Sequence, residues 1–252
     1  MAGTALRGRL NPRPLAWQNA KVLAVAAETP SVRTITLDVP DWPGHQAGQH
    51  VDIRLRDEDD YVAERSYSIA SAPGEAVALT VERLDDGEVS PYLTDELRAG
   101  DELELRGPIG GYFVWEPKDD GPLLLLAGGS GIVPLRSILR HRERAGSTVP
   151  VRLLYSSRTL DDVIYRGELD SRAVGVEVTL TLTRHQPAGW AGYARRVDAA
   201  LLAEVAWPAS SSPLAYVCGP TSFVEAASQA LVRSGYPPQR VKTERFGGTG
   251  GT

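Results

Sequence analysis

The chain has 252 residues, 42% of them hydrophobic and 23% charged, values that suit a globular protein with room for one large domain or two smaller ones. Its net charge of −5 argues against nucleic acid as the main partner, because a phosphate backbone needs a basic face. A single cysteine, Cys218, excludes an internal disulfide and leaves a cysteine-ligated iron–sulfur cluster or structural zinc without ligands, and the scattered His45, His50, His141 and His185 lack ligand spacing, so no metal is expected.

Residues 1–19 read as an N-terminal extension without the apolar stretch of a signal peptide. No run further on has the length to span a bilayer, so the expected compartment is the cytoplasm. From 20 to 117 the rhythm is that of short strands, at 21–25, 32–39, 50–55, 66–70, 76–82 and 101–106, with turns at Pro43-Gly44, Pro73-Gly74 and Asp86-Gly87. Such spacing predicts a small antiparallel barrel. In the second strand the alternation through Val32, Ile35, Leu37 and Val39 slips at Arg33-Thr34, which a bulge there explains. A helix fits 90–98, with Ser90 as its cap and Pro91 at its first position. The polar stretch 116–122 marks the boundary to a second domain, 118–247. There the rhythm becomes strand, helix, strand. An unbroken apolar run at 123–127 suits a strand buried on both faces. A helix at 134–144, strands at 151–155, 177–182 and 214–218, and a helix at 221–233 complete an α/β domain with a parallel sheet. The glycine-rich tail, 248–252, reads as flexible.

Six segments carry side chains suited to chemistry. In Arg65-Ser66-Tyr67-Ser68, alternation puts Arg65 and Tyr67 on one face of a strand and Ser66 and Ser68 on the other. A guanidinium grips phosphate through paired hydrogen bonds and a tyrosine can lie flat on a ring system, although an exposed edge strand can show the same residues. At Gly87-Glu88-Val89-Ser90 a turn opens into a helix N-terminus, which suits a pyrophosphate as well as a plain capped loop. Gly128-Gly129-Ser130-Gly131-Ile132 joins a strand to a helix. Its glycines allow close backbone approach to an anion, though the spacing is neither GxGxxG nor a Walker loop. Cys218-Gly219-Pro220 repeats that arrangement at a later strand end, where open α/β sheets bind ligands. Ser157 and Arg158 lie where a dinucleotide fold meets the adenosine ribose; Arg158, with Arg166 further on, suits a 2′-phosphate, while Asp161 and Asp162 pull the other way. Glu244 and Phe246 put a carboxylate and an aromatic where they either cover a cofactor or belong to a frayed tail.

Taken in order, Arg-x-Tyr-Ser, Gly-x-Val-Ser, Gly-Gly-Ser-Gly-Ile-x-Pro, Cys-Gly-Pro and Glu-x-Phe resemble the ferredoxin–NADP⁺ reductase superfamily over residues 20–247, with Gly48-Gln49-His50-Val51 and Gly107-Pro108-Ile109-Gly110 matching two further turns of that family. The resemblance implies a six-stranded antiparallel β-barrel that binds flavin, followed by a parallel α/β domain that binds a nicotinamide nucleotide. Arg65 would then bind flavin phosphate, Ser66 would belong to the cofactor-binding strand, Tyr67 would pack on the isoalloxazine and Ser68 would lie near N5. Gly87, Glu88, Val89 and Ser90 would surround the pyrophosphate, and Gly128, Gly129, Ser130, Gly131 and Ile132 would receive the nicotinamide nucleotide. Ser157, Arg158 and Arg166 would take its adenosine end. Cys218 would sit beside the nicotinamide, in a pocket shaped by Gly219 and Pro220, and Glu244 and Phe246 would complete the flavin side. The candidate catalytic residues are Ser68, Cys218 and Glu244, which position the reacting rings. The implied cofactor is FAD in preference to FMN, with NADPH or NADH as cosubstrate. The implied reaction moves a hydride onto flavin and electrons onward to a separate redox partner, a ferredoxin or an oxygenase component. A reductase of free flavin or small acceptors and a non-catalytic nucleotide-binding subunit remain open, as does the oligomeric state, for which a monomer suffices. Plant-type members end on an aromatic that stacks on the flavin, whereas this chain continues past Phe246, which leaves the cover of the ring open.

Overall fold

The computed structural model describes residues 15–56, 61–171 and 174–246. The N-terminal extension before Leu15 and the glycine-rich tail lie outside the described residues. Strands β1 (Gln18–Thr29), β2 (Val32–Asp38), β3 (His50–Arg56), β4 (Val62–Ser68), β5 (Val77–Glu82) and β6 (Glu102–Ile109) form one antiparallel sheet in the order β4-β3-β6-β1-β2-β5. The sheet closes on itself where Ile69 bridges Leu79 and the Ala70 amide donates to the Ala78 carbonyl at 2.7 Å. This contact joins the two end strands, and the inward side chains, among them Val22, Ile35, Leu37, Val51, Ile53, Leu79 and Leu105, fill the barrel as one buried cluster.

Three details differ from the sequence reading. The bulges lie in β1, between Val22 and Ala24 and between Ala27 and Thr29, while β2 pairs with β5 without interruption from Val32–Glu82 to Leu37–Val77. The slip at Arg33-Thr34 arises because β2 is buried on two faces: Ile35 and Leu37 point into the barrel, and Val32 packs outward into the core of the second domain. Strand β4 begins at Val62 rather than Ser66, because its outer positions are polar and hide the alternation. The helix expected over 90–98 is instead a short turn, α1 (Val89–Pro91), continued by a π-type turn over Tyr92–Glu96. Ser90 does not cap it. Its hydroxyl accepts the Leu84 amide at 3.0 Å, tying the turn back to the end of β5.

The second sheet is parallel throughout, β7 (Leu123–Gly128), β8 (Val151–Ser157), β9 (Val176–Leu182), β10 (Leu214–Pro220) and β11 (Val241–Phe246), ordered β11-β10-β7-β8-β9. Every residue of β7 is buried, as its run of leucines predicts. Helices α2 (Ile132–Arg144), α3 (Arg166–Asp170), α4 (Ala199–Val205) and α5 (Thr221–Arg233) lie on its connections. Helix α4 was not among the expected elements; Asp198 caps it by accepting the Leu201 amide at 2.8 Å. The chain order reverses between β7 and β10, so the loops leaving these two strands flank a topological switch point, where open α/β sheets form their ligand crevice.

The two domains share a core. Val32, Ala78, Phe113 and Trp115 of the first half pack with Leu125, Leu135, Tyr155 and Tyr216 of the second. The polar face of α2 grips the loop after β4: Ser137 donates to the Ser71 carbonyl at 2.6 Å, Arg136 to the Ala70 carbonyl at 3.3 Å, and Arg140 pairs with Glu75 at 3.1 Å. Tyr216 donates its hydroxyl to the Val114 carbonyl at 2.8 Å. These contacts fix how the barrel faces the switch point. Among the described residues no helix is long and apolar enough to cross a membrane.

Candidate active site between the barrel and the parallel sheet

Three elements bring their ends together in the cleft. Strand β4 delivers Ser68, β10 delivers Cys218, and β11, in register with β10, sets Glu244 beside Cys218. The segment 243–246 is therefore part of an edge strand and no frayed tail, and Phe246 pairs with Pro220 and packs on the shared core. Ser68 donates to Glu244 Oε1 at 3.5 Å, while Oε2 is buried with no hydrogen-bond partner. A buried carboxyl oxygen of this kind can accept a further hydrogen bond, from a water or from a bound group. Burial pushes the Glu244 carboxyl up to about 7, against the opposing pull of the Ser68 hydroxyl. Burial, and then the Glu244 carboxylate, push the Cys218 thiol well above its ordinary value. Cys218 is thus held as a neutral thiol, which is a poor nucleophile.

The Glu244 shift has a consequence for stability. In the fold this carboxyl keeps its proton up to about pH 7, whereas in the unfolded chain it releases it near 4.5. Between these values the native state binds the extra proton, so Glu244 makes stability fall as pH rises, and the loss is complete above the folded value. Glu244→Gln removes this titration. The melting temperature of the variant relative to wild type is expected to rise between about pH 4 and about pH 8. A difference that stays flat across that range would contradict the burial of this group.

On β4 the alternation works as expected. Tyr67 packs against the barrel cluster, and burial pushes its hydroxyl up to about 12. Arg65 is half exposed and reaches Glu88 at 3.0 Å, and the same carboxylate accepts the Tyr61 hydroxyl at 2.9 Å. Glu88 therefore stands on the guanidinium where a phosphate would bind. Its own side chain offers a phosphate no attraction, which leaves Gly87, Val89 and Ser90 to contribute through backbone. Ser66 is set apart from this group, because its hydroxyl donates to Asp52 at 2.6 Å on the opposite face of the strand.

The end of the barrel that carries Tyr67 and Ser68 is tied by two glycine turns. Gly48 adopts φ +100°, and a Cβ there would strike the Phe113 carbonyl. Gln49 donates to the Gly110 carbonyl at 2.5 Å, and the Ile69 amide donates to the Gln49 carbonyl at 2.9 Å, so the two turns clamp the chain directly after Ser68.

Across the cleft, Gly131 and Ile132 are buried and lead into α2, whose thirteen residues point an N-terminal dipole at the loop. Gly131 rests on the end of β10, where a Cβ would run into the Cys218 carbonyl. Gly128 and Gly219 both lie against the ring of Phe223, an aromatic at the start of α5 that sequence reasoning did not single out. Its signal was its place in the first turn after Cys218-Gly219-Pro220. Ser130 donates to Glu82 Oε2 at 2.7 Å, a contact between the two domains that the sequence did not announce.

At the outer end of the crevice, Ser157 is buried, and its carbonyl accepts the Thr183 amide at 2.9 Å. Arg158 is exposed, and among the described residues no carboxylate pairs with it. Asp162 accepts from the Thr159 amide and hydroxyl at 3.1 and 2.8 Å and Asp161 is exposed; neither forms an ion pair with Arg158. Arg166 lies on α3 with Asp170 at 3.9 Å. A cation that sequence reasoning missed, Arg184, is exposed beside Arg158, because its amide donates to the Arg158 carbonyl at 2.9 Å.

The first half of the chain matches the oxidoreductase FAD-binding domain family over residues 19–114, and the second matches the oxidoreductase NAD-binding domain family over residues 125–229. The chain is 34% identical over 238 residues to ferredoxin–NADP reductase B of Sorangium cellulosum, covering 90% of this chain and 96% of that protein. It is 32% identical over 240 residues to a glycine betaine monooxygenase reductase subunit of Chromohalobacter salexigens, covering 92% of this chain. It spans less than two thirds of the length of the first curated relatives it matches, 64% of this one. Among solved structures, a cytochrome P450 reductase of Amycolatopsis superposes with a TM-score of 0.81 at 29% identity, over 97% of this chain and 73% of that one. An FAD-binding barrel followed by an NAD-binding sheet, and a relative matched over nearly its whole length, place the chain in the ferredoxin–NADP reductase family of flavoprotein oxidoreductases.

Proposed function

We infer that the chain is an NAD(P)H-dependent flavoprotein reductase that moves a hydride from NADPH or NADH to bound FAD and passes electrons to a separate acceptor, an iron–sulfur or haem protein. The observation that carries this reading is the convergence of Ser68, Cys218 and Glu244 at the mouth of the switch point, with one Glu244 oxygen buried and unpartnered. The residues present fit a flavin. Arg65 has a reachable guanidinium for its phosphate, Tyr67 a ring held by the barrel, and Ser68 and Glu244 polar atoms for the edge of the ring system.

When bound, the flavin supplies the conversion of a two-electron donor into a source of single electrons. The chain supplies position. Arg65 binds phosphate, Tyr67 orients the ring plane, and Ser68 with Glu244 holds its polar edge. Cys218, Gly219 and Pro220 shape the space beside it, and Gly128 to Ile132 hold the cosubstrate's phosphates so that the nicotinamide reaches that space. Holding two rings in one orientation removes much of the entropic barrier to transfer between them. The glycine betaine monooxygenase reductase subunit is, by its name, the reductase of an oxygenase. The same division of labour here gives a ferredoxin or an oxygenase component as partner. The reading puts the protein in the cytoplasm, where both nicotinamide nucleotides are found.

Turnover with a one-electron acceptor tests the reading: each NAD(P)H oxidised should reduce two ferricyanide ions, with the flavin remaining on the protein through gel filtration. Flavin that leaves the protein during turnover would favour a reductase of free flavin. Arg158 and Arg184 bias the donor towards NADPH, because a guanidinium binds a 2′-phosphate through charge-assisted hydrogen bonds. Arg158→Ala is expected to raise KM for NADPH roughly tenfold, about 1.5 kcal/mol, and to leave KM for NADH nearly unchanged. Equal effects on both donors would remove the case for NADPH.

A further inference from the structure

Glu82 ends β5 on the face that looks away from the barrel. Alternate residues on this face meet the parallel-sheet domain: Ala78 is buried in the shared core, Thr80 accepts the Tyr165 hydroxyl, and Glu82 accepts the Ser130 hydroxyl at 2.7 Å. The first two contacts join the domains. The third lies inside the glycine-rich loop itself, where Glu82 Oε2 is 4.0 Å from the position a Cβ on Gly129 would take. A carboxylate from the flavin domain thus stands in the loop whose glycines and helix dipole are suited to an anion. A serine hydroxyl has a single proton to donate. Here it goes to Glu82, and a phosphate oxygen arriving at Ser130 must displace that carboxylate and then sit beside it, charge against like charge.

We propose that Glu82 guards the diphosphate cradle, competing with the cosubstrate's diphosphate for Ser130 and so setting how tightly the nicotinamide nucleotide is held. This rests on the reading of Gly128 to Ile132 as the cosubstrate's cradle. The diphosphate is common to both nucleotides, so Glu82 weakens the binding of each by the same factor and leaves the choice between them to Arg158 and Arg184. A guard of this kind keeps the nucleotide exchangeable, which a reductase needs in order to release its oxidised cosubstrate each cycle. An interdomain latch predicts something else. Glu82→Gln keeps an acceptor for Ser130 and removes only the charge, so a latch would survive it without any change in nucleotide affinity.

The test is the Kd of NAD⁺ and of NADP⁺, measured by calorimetry on the flavin-loaded protein at low salt, for wild type and Glu82→Gln. The guard predicts about tenfold tighter binding of both nucleotides in the variant, an unchanged ratio between them, and an advantage that shrinks as salt is raised. Affinities equal to or weaker than those of a wild type that binds normally overturn the guard and leave the cradle reading standing. If neither protein binds either nucleotide, the cradle reading falls, and the guard falls with it.

Discussion

Gly131→Ala is expected to lower stability by roughly 3 kcal/mol and the melting temperature by roughly 6–12 °C, the upper end of what overpacking costs. The added Cβ would run into the Cys218 carbonyl and lie 2.8 Å from the Gly219 nitrogen. Both neighbours are backbone, so no rotamer change relieves the contact. Either the loop after β7 lifts away or the end of β10 moves, and each carries part of the site. Nucleotide affinity should therefore fall together with stability. Gly167→Ala is the control: Gly167 lies in α3, and a Cβ there meets nothing within 4 Å. That exchange should change stability by less than about 1 kcal/mol and in the favourable direction. Thermal unfolding of the two variants decides the matter, and a Gly131→Ala protein that melts with wild type would mean that the loop and strand do not meet as described.

Arg65→Ala is expected to leave a folded protein that has lost its flavin. The side chain is half exposed, and its ion pair with Glu88 is also exposed, so its removal should cost the fold less than about 1 kcal/mol. Hydrogen bonds from a guanidinium to a phosphate contribute about 1.5–3 kcal/mol, which corresponds to a rise in Kd for FAD of roughly tenfold to a hundredfold. Arg65→Lys should fall between, because an ammonium keeps the charge and loses the paired geometry. Flavin content after dialysis and fluorescence titration of the apoprotein measure the effect. Full retention of flavin by Arg65→Ala would remove Arg65 from the flavin site.

Much of this architecture is legible in the sequence, for reasons that can be named. The run at 123–127 suits a strand covered on both sides, and it is the centre of the parallel sheet. The turns at Gly128–Ile132 and Cys218–Pro220 read as ligand loops at strand ends, and they leave the two strands that flank the switch point. Where the reading slipped, tertiary contacts had overruled local pattern. Thr34, buried against Thr80 under the second domain, breaks the alternation of β2, and nothing local records that cover. Ser90 and Pro91 have the form of a helix start, but the Ser90 hydroxyl is committed to Leu84. Strand β11 was hidden because Thr243, Glu244 and Arg245 lack the apolar run of a buried strand, and its place at the sheet edge explains why they can. The Ser68–Glu244 pair spans 176 residues of chain, and Glu82–Ser130 spans 48. Such pairs exist only once two domains are docked, and a single sequence carries no record of which partner each side chain finds.

The most direct test is an anaerobic absorption titration of the purified protein, first with NADPH and then, on a fresh sample, with NADH. A flavin spectrum that bleaches with about one equivalent of either nucleotide is the predicted result, with NADPH the faster donor, since a bound flavin takes up one hydride. A flavin spectrum that neither nucleotide bleaches, or a colourless protein that stays inert when FAD is added, would contradict it.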